Sequence, residues 1–158
     1  MSGFEDYPRI TPFLWFDRNA EEAVEFYLSV FKNSRRLSEF RNPDGARGPK
    51  NGIITISFEL EGMRFTALNG GLEYKFTEAV SFVVRCDTQE EIDYYWGKLT
   101  EGGNEIQCGW LKDKFGLRWQ IVPARLHDWV KTPKGMQAMM GMKKFNIAEL
   151  ERAASESS

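Results

Sequence analysis

The chain predicts an α+β protein made of two βαβββ modules followed by C-terminal helices. Three observations predict it. Apolar residues alternate over short runs and recur at helical spacing in the order strand, helix, strand, strand, strand. The helical stretch then returns 69 positions on: Ala23, Phe26, Tyr27 and Val30 become Ile92, Tyr95, Trp96 and Leu99, while Glu21-Glu22 becomes Glu90-Glu91. Such a fixed offset marks an internal repeat, which sets the architecture. Finally, Trp110 to Val122 concentrates turn and strand signals. Asp113 and Gly116 form a tight turn, after which Trp119 and Ile121 fall on one face and Arg118, Gln120 and Val122 on the other.

Taken in order, Ile10 to Phe16 is an aromatic-rich run of strand length, broken by Asp17-Arg18-Asn19. Asn19 with Glu22 forms a capping-box-like start, and Ala23, Phe26, Tyr27, Val30 and Phe31 make one apolar helical face. Arg35 to Arg41 can form a strand, and Asn42 to Gly52 is a loop by its Pro, Gly and Asn content. Ile53 to Leu60 and Met63 to Leu68 are strands joined by the two-residue turn Glu61-Gly62, and Asn69-Gly70-Gly71 stops the second. The second half repeats this with Ala79 to Arg85, a helix capped by Thr88 with Glu91, a stop at Gly102-Gly103, short strands in Glu105 to Cys108 and Gly109 to Lys112, and Leu117 to Val122. Two curved four-stranded sheets with helices outside would leave a cleft between their inner faces. From Leu126 the chain is helical, with Pro133 in a first turn, Asn146 as a cap, and Met136, Met139, Met140 and Met142 suited to an adaptable core or a subunit contact.

At 158 residues with 42% apolar, 14% aromatic and 28% charged residues, the chain suits one ordered domain with a real core. A formal net charge of −2 offers no basic excess for phosphates, which argues against a nucleic-acid partner. No apolar run reaches the eighteen or so residues of a membrane span, and the polar N-terminus has no secretory signal. Cys86 and Cys108 show no CxxC spacing and suit reduced thiols, so the chain is expected in the cytoplasm. No GxGxxG, no GxSxG and a single histidine, His127, argue against a dinucleotide site or a serine triad.

Several segments resemble one family. They are Phe13-Leu14-Trp15-Phe16-Asp17 with Ala20-Glu21-Glu22-Ala23 and Phe26-Tyr27; Ala67-Leu68-Asn69-Gly70-Gly71; Lys75-Phe76-Thr77-Glu78-Ala79-Val80-Ser81-Phe82; and Gly109-Trp110-Leu111-Lys112-Asp113-Lys114-Phe115-Gly116 running into Trp119-Gln120-Ile121-Val122-Pro123. Together they resemble the PhnB-like proteins of the vicinal oxygen chelate superfamily, with glyoxalase I, bleomycin-resistance proteins and extradiol dioxygenases. The likeness runs from about Ile10 to Leu150 and includes the tail Met139 to Lys144 followed by Asn146 to Leu150. It implies a single domain over 1–158, with module one about 9–71, module two about 77–124 and a tail over 125–158, a cupped mixed sheet with a cavity, and a homodimer. Such proteins often carry the label 3-demethylubiquinone-9 3-methyltransferase.

Metal enzymes of the superfamily place His, Gln or Glu on inner strands of each module. Transferred here, those positions fall near Ile10, Thr11 or Pro12, at Ala67, Leu68 or Asn69, at Glu78, Ala79 or Val80, and at Gln120. Only Gln120 keeps a familiar ligand type, so neither a bound metal nor another cofactor is expected. A register shift of one would add Asn69 and Glu78 and restore lyase or dioxygenase chemistry. The residues expected to line a cleft for a small organic ligand are Thr11, Phe13, Trp15, Asn69, Ser81, Trp110 and Gln120. The alternative is a non-catalytic dimeric module whose cleft is filled by its own Phe13, Trp15 and Trp110.

Overall fold

The structure is a computed structural model describing residues 3–43 and 48–156. Part of the predicted loop Asn42–Gly52, residues 44–47, lies outside the described residues, as do the two serines at the end of the tail. The chain divides into two compact units, Met1–Lys75 and Phe76–Ser158. The first contains β1 (Phe13–Phe16), α1 (Ala20–Val30), β2 (Ser34–Arg41), β3 (Ile53–Leu60) and β4 (Met63–Asn69). Its sheet runs β1-β4-β3-β2, with β1 parallel to β4 and the other pairs antiparallel. The second contains β5 (Ser81–Cys86), α2 (Gln89–Thr100), β6 (Asn104–Glu105), β7 (Trp110–Lys112), β8 (Arg118–Pro123) and then α3 (Leu126–Val130), α4 (Pro133–Met140) and α5 (Ile147–Ser155). Its sheet order β5-β8-β7-β6 repeats the first, again with only the β5–β8 pair parallel.

Each helix covers one face of its own sheet. In α1 the predicted face buries Ala23, Tyr27 and Val30, joined by Ala20 and Val24, against Ile56, Phe58, Phe65 and Ala67. Tyr27 lies nearly parallel to Phe58, and Phe58 to Phe65, with ring centroids 6.3 and 5.5 Å apart. The same positions of α2 bury Ile92, Trp96 and Leu99 against Leu111, Trp119 and Ile121. Each large side chain so buried contributes roughly 1.5–3 kcal/mol. Among the described residues, no helix of the same unit packs extensively on the opposite face of either sheet. Glu61 and Gly62, at φ 49° and 83°, make the predicted two-residue hairpin.

The repeat is not uniform. The helices are offset by 69 residues, as Ala20 and Gln89 begin them, but the first strands are offset by 70, as Phe16 and Cys86 end them. The connection Asp17-Arg18-Asn19 has one residue more than Asp87-Thr88, and Arg18 takes up the excess at φ 60°. That extra residue overturns the predicted capping box at Asn19, whose side chain makes no cap bond. Instead Asn69, at the end of β4, accepts from the Ala20 N–H at 2.9 Å. In module two the shorter connection leaves Thr88 and Glu91 in a complete capping box. The first strands also begin later than their apolar runs, at Phe13 and Ser81, leaving Ile10 and Val80 exposed.

The C-terminal helices belong to the second unit. Phe145 is buried against Gly109, whose φ of 81° and lack of a side chain admit the ring: a Cβ there would lie 2.5 Å from it. Gln89 ties the tail to α2 by donating to Phe145 O at 3.0 Å and accepting from Ile147 N at 2.8 Å. Met136 and Met140 remain exposed, so the methionine cluster is not core within the unit.

Candidate functional site

In the first unit, residues 3–9 lie against the helix-free face of the sheet and border two adjoining, open hollows. One, of ≈ 500 Å3, is lined by Phe4, Tyr7, Pro8, Arg9, Thr11 and Phe13. The other, of ≈ 220 Å3, shares Phe4, Tyr7 and Phe13 and adds polar groups of β2 and β3, among them Ser38, Thr55 and Ser57. Period-two alternation explains this lining, since Thr55 and Ser57 point away from the helix while Ile56 and Phe58 point toward it. Tyr7 fixes the covering segment: its hydroxyl lies 2.8 Å from Thr66 Oγ1, and its ring lies under the Arg64 guanidinium at 3.8 Å. Of the predicted residues, Thr11 and Phe13 therefore meet at this cleft.

Trp15 and Asn69 of the same unit make other contacts. The Trp15 indole donates to Gly71 O at 3.0 Å, meets Tyr74 edge-on at 4.8 Å, and lies so close to Gly70 that a Cβ there would sit 2.2 Å from the ring. Asn69 accepts from Ala20 N and donates to Ile53 O at 3.0 Å, so both ends of its amide join elements of the fold.

The second unit brings Ser81, Trp110 and Gln120 together on its helix-free face. Gln120 pairs with Trp110 across β7–β8 and donates to Ser81 Oγ at 2.9 Å. The alternation predicted for this strand holds, with Trp119 and Ile121 buried and Arg118, Gln120 and Val122 half-buried. The turn before β8 is organised by the buried Asp113, which accepts from Phe115 N, Leu117 N and the Trp119 indole at 2.9, 3.0 and 2.9 Å. Arg118 shares the face with Gln120 and donates to Phe76 O, Gly116 O and, at 3.0 Å, Glu78. The Arg118 guanidinium holds the Glu78 carboxyl below its ordinary range, with a smaller contribution from Lys112.

These residues do not suit a divalent ion. Glu78, the carboxylate that a shifted register would supply, is paired with a cation, and Lys112 carries a second positive charge nearby. The orphaned group on this face is the buried Arg118 Nε, a donor, which calls for an acceptor rather than for a metal. Among the described residues no three of His, Cys, Asp and Glu stand close enough to share an ion. Methyl transfer from S-adenosylmethionine fares no better, because Asn69-Gly70-Gly71 leads into turns and extended chain before β5 and not into a helix.

Two residues important to these faces were not singled out in the sequence, Arg64 and Tyr7. Arg64 and Arg118 are equivalent: each stands two residues before the one that pairs with the matching residue of its module's first strand, Thr66 with Phe13 and Gln120 with Val83, and 54 positions separate both pairs. Each donates to a carbonyl of the segment leading into its module, Asp6 O and Phe76 O, at 3.2 Å in both cases. The signal was an arginine at matching places in both final strands, which becomes visible once their offset of 54 replaces that of the helices.

Tandem βαβββ modules with this strand order define a protein of the vicinal oxygen chelate fold. A family model described as 3-demethylubiquinone-9 3-methyltransferase matches residues 8–122, and the chain belongs to that PhnB-like family. Among solved structures, the PhnB protein from Bacillus cereus, provisionally described as a 3-demethylubiquinone-9 3-methyltransferase, is 35% identical, with 74% of this chain and 100% of that chain covered and a TM-score of 0.67. Protein PA1353 from Pseudomonas aeruginosa is 20% identical over 73% of this chain and 97% of that one, with a TM-score of 0.61. The fosfomycin resistance protein FosX from Mesorhizobium loti is 11% identical over 73% and 90%, with a TM-score of 0.53, and like PA1353 supports the fold alone. No curated protein matches the chain.

Proposed function

We propose that the protein binds a small organic molecule on the helix-free faces of its modules, without a metal ion. The ≈ 500 Å3 cleft of the first unit carries this reading: it falls within the roughly 300–1,000 Å3 of small-molecule sites and combines the rings of Phe4, Tyr7 and Phe13 with the Thr11 hydroxyl. Ser81, Trp110 and Gln120 offer a comparable mix of ring, hydroxyl and amide in the second unit. Both Thr11 and Ser81 stand at the same place in the repeat, 70 residues apart. The family description names a methyl transfer, but the donor-site features above do not support that chemistry, and no reaction is assigned.

The protein is further proposed to be a cytoplasmic homodimer. Support for the dimer is the exposed apolar side chains of the second unit, Val80, Met136 and Met140. Support for the cytoplasm is the pair of free thiols. No helix of the described residues is long and apolar enough to cross a membrane.

A thermal-shift screen of small organic compounds tests the binding reading, with Phe13→Ala, Trp110→Ala and Gln120→Ala beside the wild type. Compounds should stabilise the wild type and lose that effect in at least one variant. If none stabilises it, or if all the variants respond unchanged, the binding reading fails.

A further inference from the structure

The ligand class can be narrowed from Arg64, on the reading that the first unit's helix-free face is a binding site. The Arg64 side chain is 8% exposed, and a buried guanidinium is stable only with good compensation. Its partners are incomplete. Nε donates to Ser57 at 2.7 Å and Nη1 to Asp6 O at 3.2 Å, and the nearest carboxylate, Asp6, stands 3.5 Å from the same Nη1. Nη2 makes no hydrogen bond among the described residues and is not buried, so this end of the fork faces solvent and is open to an incoming acceptor. A guanidinium facing a carboxylate ordinarily uses two parallel N–H groups, so Asp6 engages half of the available fork.

The source of that carboxylate matters as much as its geometry. Asp6 is 57% exposed and belongs to the irregular segment 3–9, not to the sheet or the helix. Segments without regular structure and with few buried contacts open most readily. Ser57 and Tyr7, the groups bonded to and stacked on Arg64, both line the ≈ 220 Å3 hollow, where Phe4, Phe13 and Phe40 supply apolar walls. Glu39 also lines it, but Arg36 and Arg41 pair with it at 2.6 and 2.5 Å. The equivalent Arg118 has both terminal nitrogens engaged, which makes Arg64 the one with a terminal donor to spare.

We propose that Arg64 recognises the carboxylate of a small organic acid, whose apolar part occupies the hollow between Phe13 and Phe40, and that Asp6 holds this position in the unliganded chain. Ligand entry then requires residues 3–9 to lift away from the sheet. The acid gains the second hydrogen bond that Asp6 leaves unmade.

Calorimetric titration with phenylacetate and its neutral counterpart phenylacetamide tests this. The wild type should bind phenylacetate saturably and phenylacetamide at least about 10-fold more weakly. Asp6→Asn removes the internal competitor and should tighten phenylacetate by about 3- to 5-fold, the scale of an exposed ion pair, without affecting phenylacetamide. Arg64→Lys keeps the charge but loses the fork and should weaken phenylacetate by about 10-fold, with circular dichroism confirming a folded variant. Equal binding of the two compounds, or an affinity for phenylacetate unmoved by Asp6→Asn, overturns the carboxylate assignment and leaves the cleft as a site for neutral molecules. No binding of either compound overturns the carboxylate assignment, and the compound screen above then decides separately whether the cleft binds anything.

Discussion

Asp113→Asn probes the turn that sets β8, and with it Arg118 and Gln120. The wild-type carboxylate is 1% exposed and accepts from two backbone N–H groups through Oδ1 and from the Trp119 indole through Oδ2. Asparagine matches its shape, but whichever way the amide turns, its NH2 meets a donor. The loss is a charge-assisted bond, and a buried N–H is left facing another; together these cost about 3 kcal/mol. Trp119→Phe removes the indole donor, so in the double variant the Asn amide no longer opposes it. The cycle should therefore show a coupling of about 1–2 kcal/mol between the two positions. Urea denaturation followed by circular dichroism measures all four proteins. A loss below about 1 kcal/mol for Asp113→Asn, or strict additivity in the cycle, would refute the role given to this carboxylate.

Three further outcomes follow from the same contacts. Thr88→Ala should lower stability by about 1 kcal/mol and Asn69→Ala by at least as much, while Asn19→Ala should change it by no more than a few tenths, since Asn69 and not Asn19 caps α1; urea midpoints decide this. Burial, reinforced by Glu91 and Asp87, pushes the Cys86 thiol up to about 12. The unfolded thiol thus ionises first, and stability should fall as pH rises from 9.0 toward about 12, a slope that Cys86→Ala should flatten. Titration of Ni2+, Zn2+ or Mn2+ into protein purified without chelator should give no stoichiometric binding, whereas an ion that is lost on Gln120→Ala would restore a metal-dependent reading.

Much of the architecture was legible because the signals were local. The hairpin at Glu61-Gly62, the capping box at Thr88 and the alternation through Trp119, Gln120 and Ile121 each depend on neighbours a few residues apart. What escaped depended on distant pairing. Asn69 acts as the cap of a helix 49 residues earlier, and no spacing rule connects it to Ala20. The shorter stretch between helix and last strand in module two hid the equivalence of Arg64 and Arg118: the helices are offset by 69 positions and these arginines by 54, so an alignment made on the helices sets the last strands out of step. Arg64 also looked like an ordinary charge on an alternating strand, and its burial comes from residues 3–9, a stretch with no periodic pattern of its own. For the site, Thr11, Phe13, Ser81, Trp110 and Gln120 were legible as polar or aromatic positions on helix-free faces. Trp15 and Asn69 have the same chemistry, but their bonding to Gly71, Ala20 and Ile53 could be seen only in three dimensions.

The central claim is that a small molecule occupies the helix-free face of the first unit, and mapping fragment binding by 15N–1H correlation spectra tests it most directly. Compounds that stabilise the protein should shift the amides of Tyr7, Thr11, Phe13, Thr55 and Ser57, which line the two hollows. Shifts confined to α3, α4 and α5, or to the solvent face of α1, would contradict it.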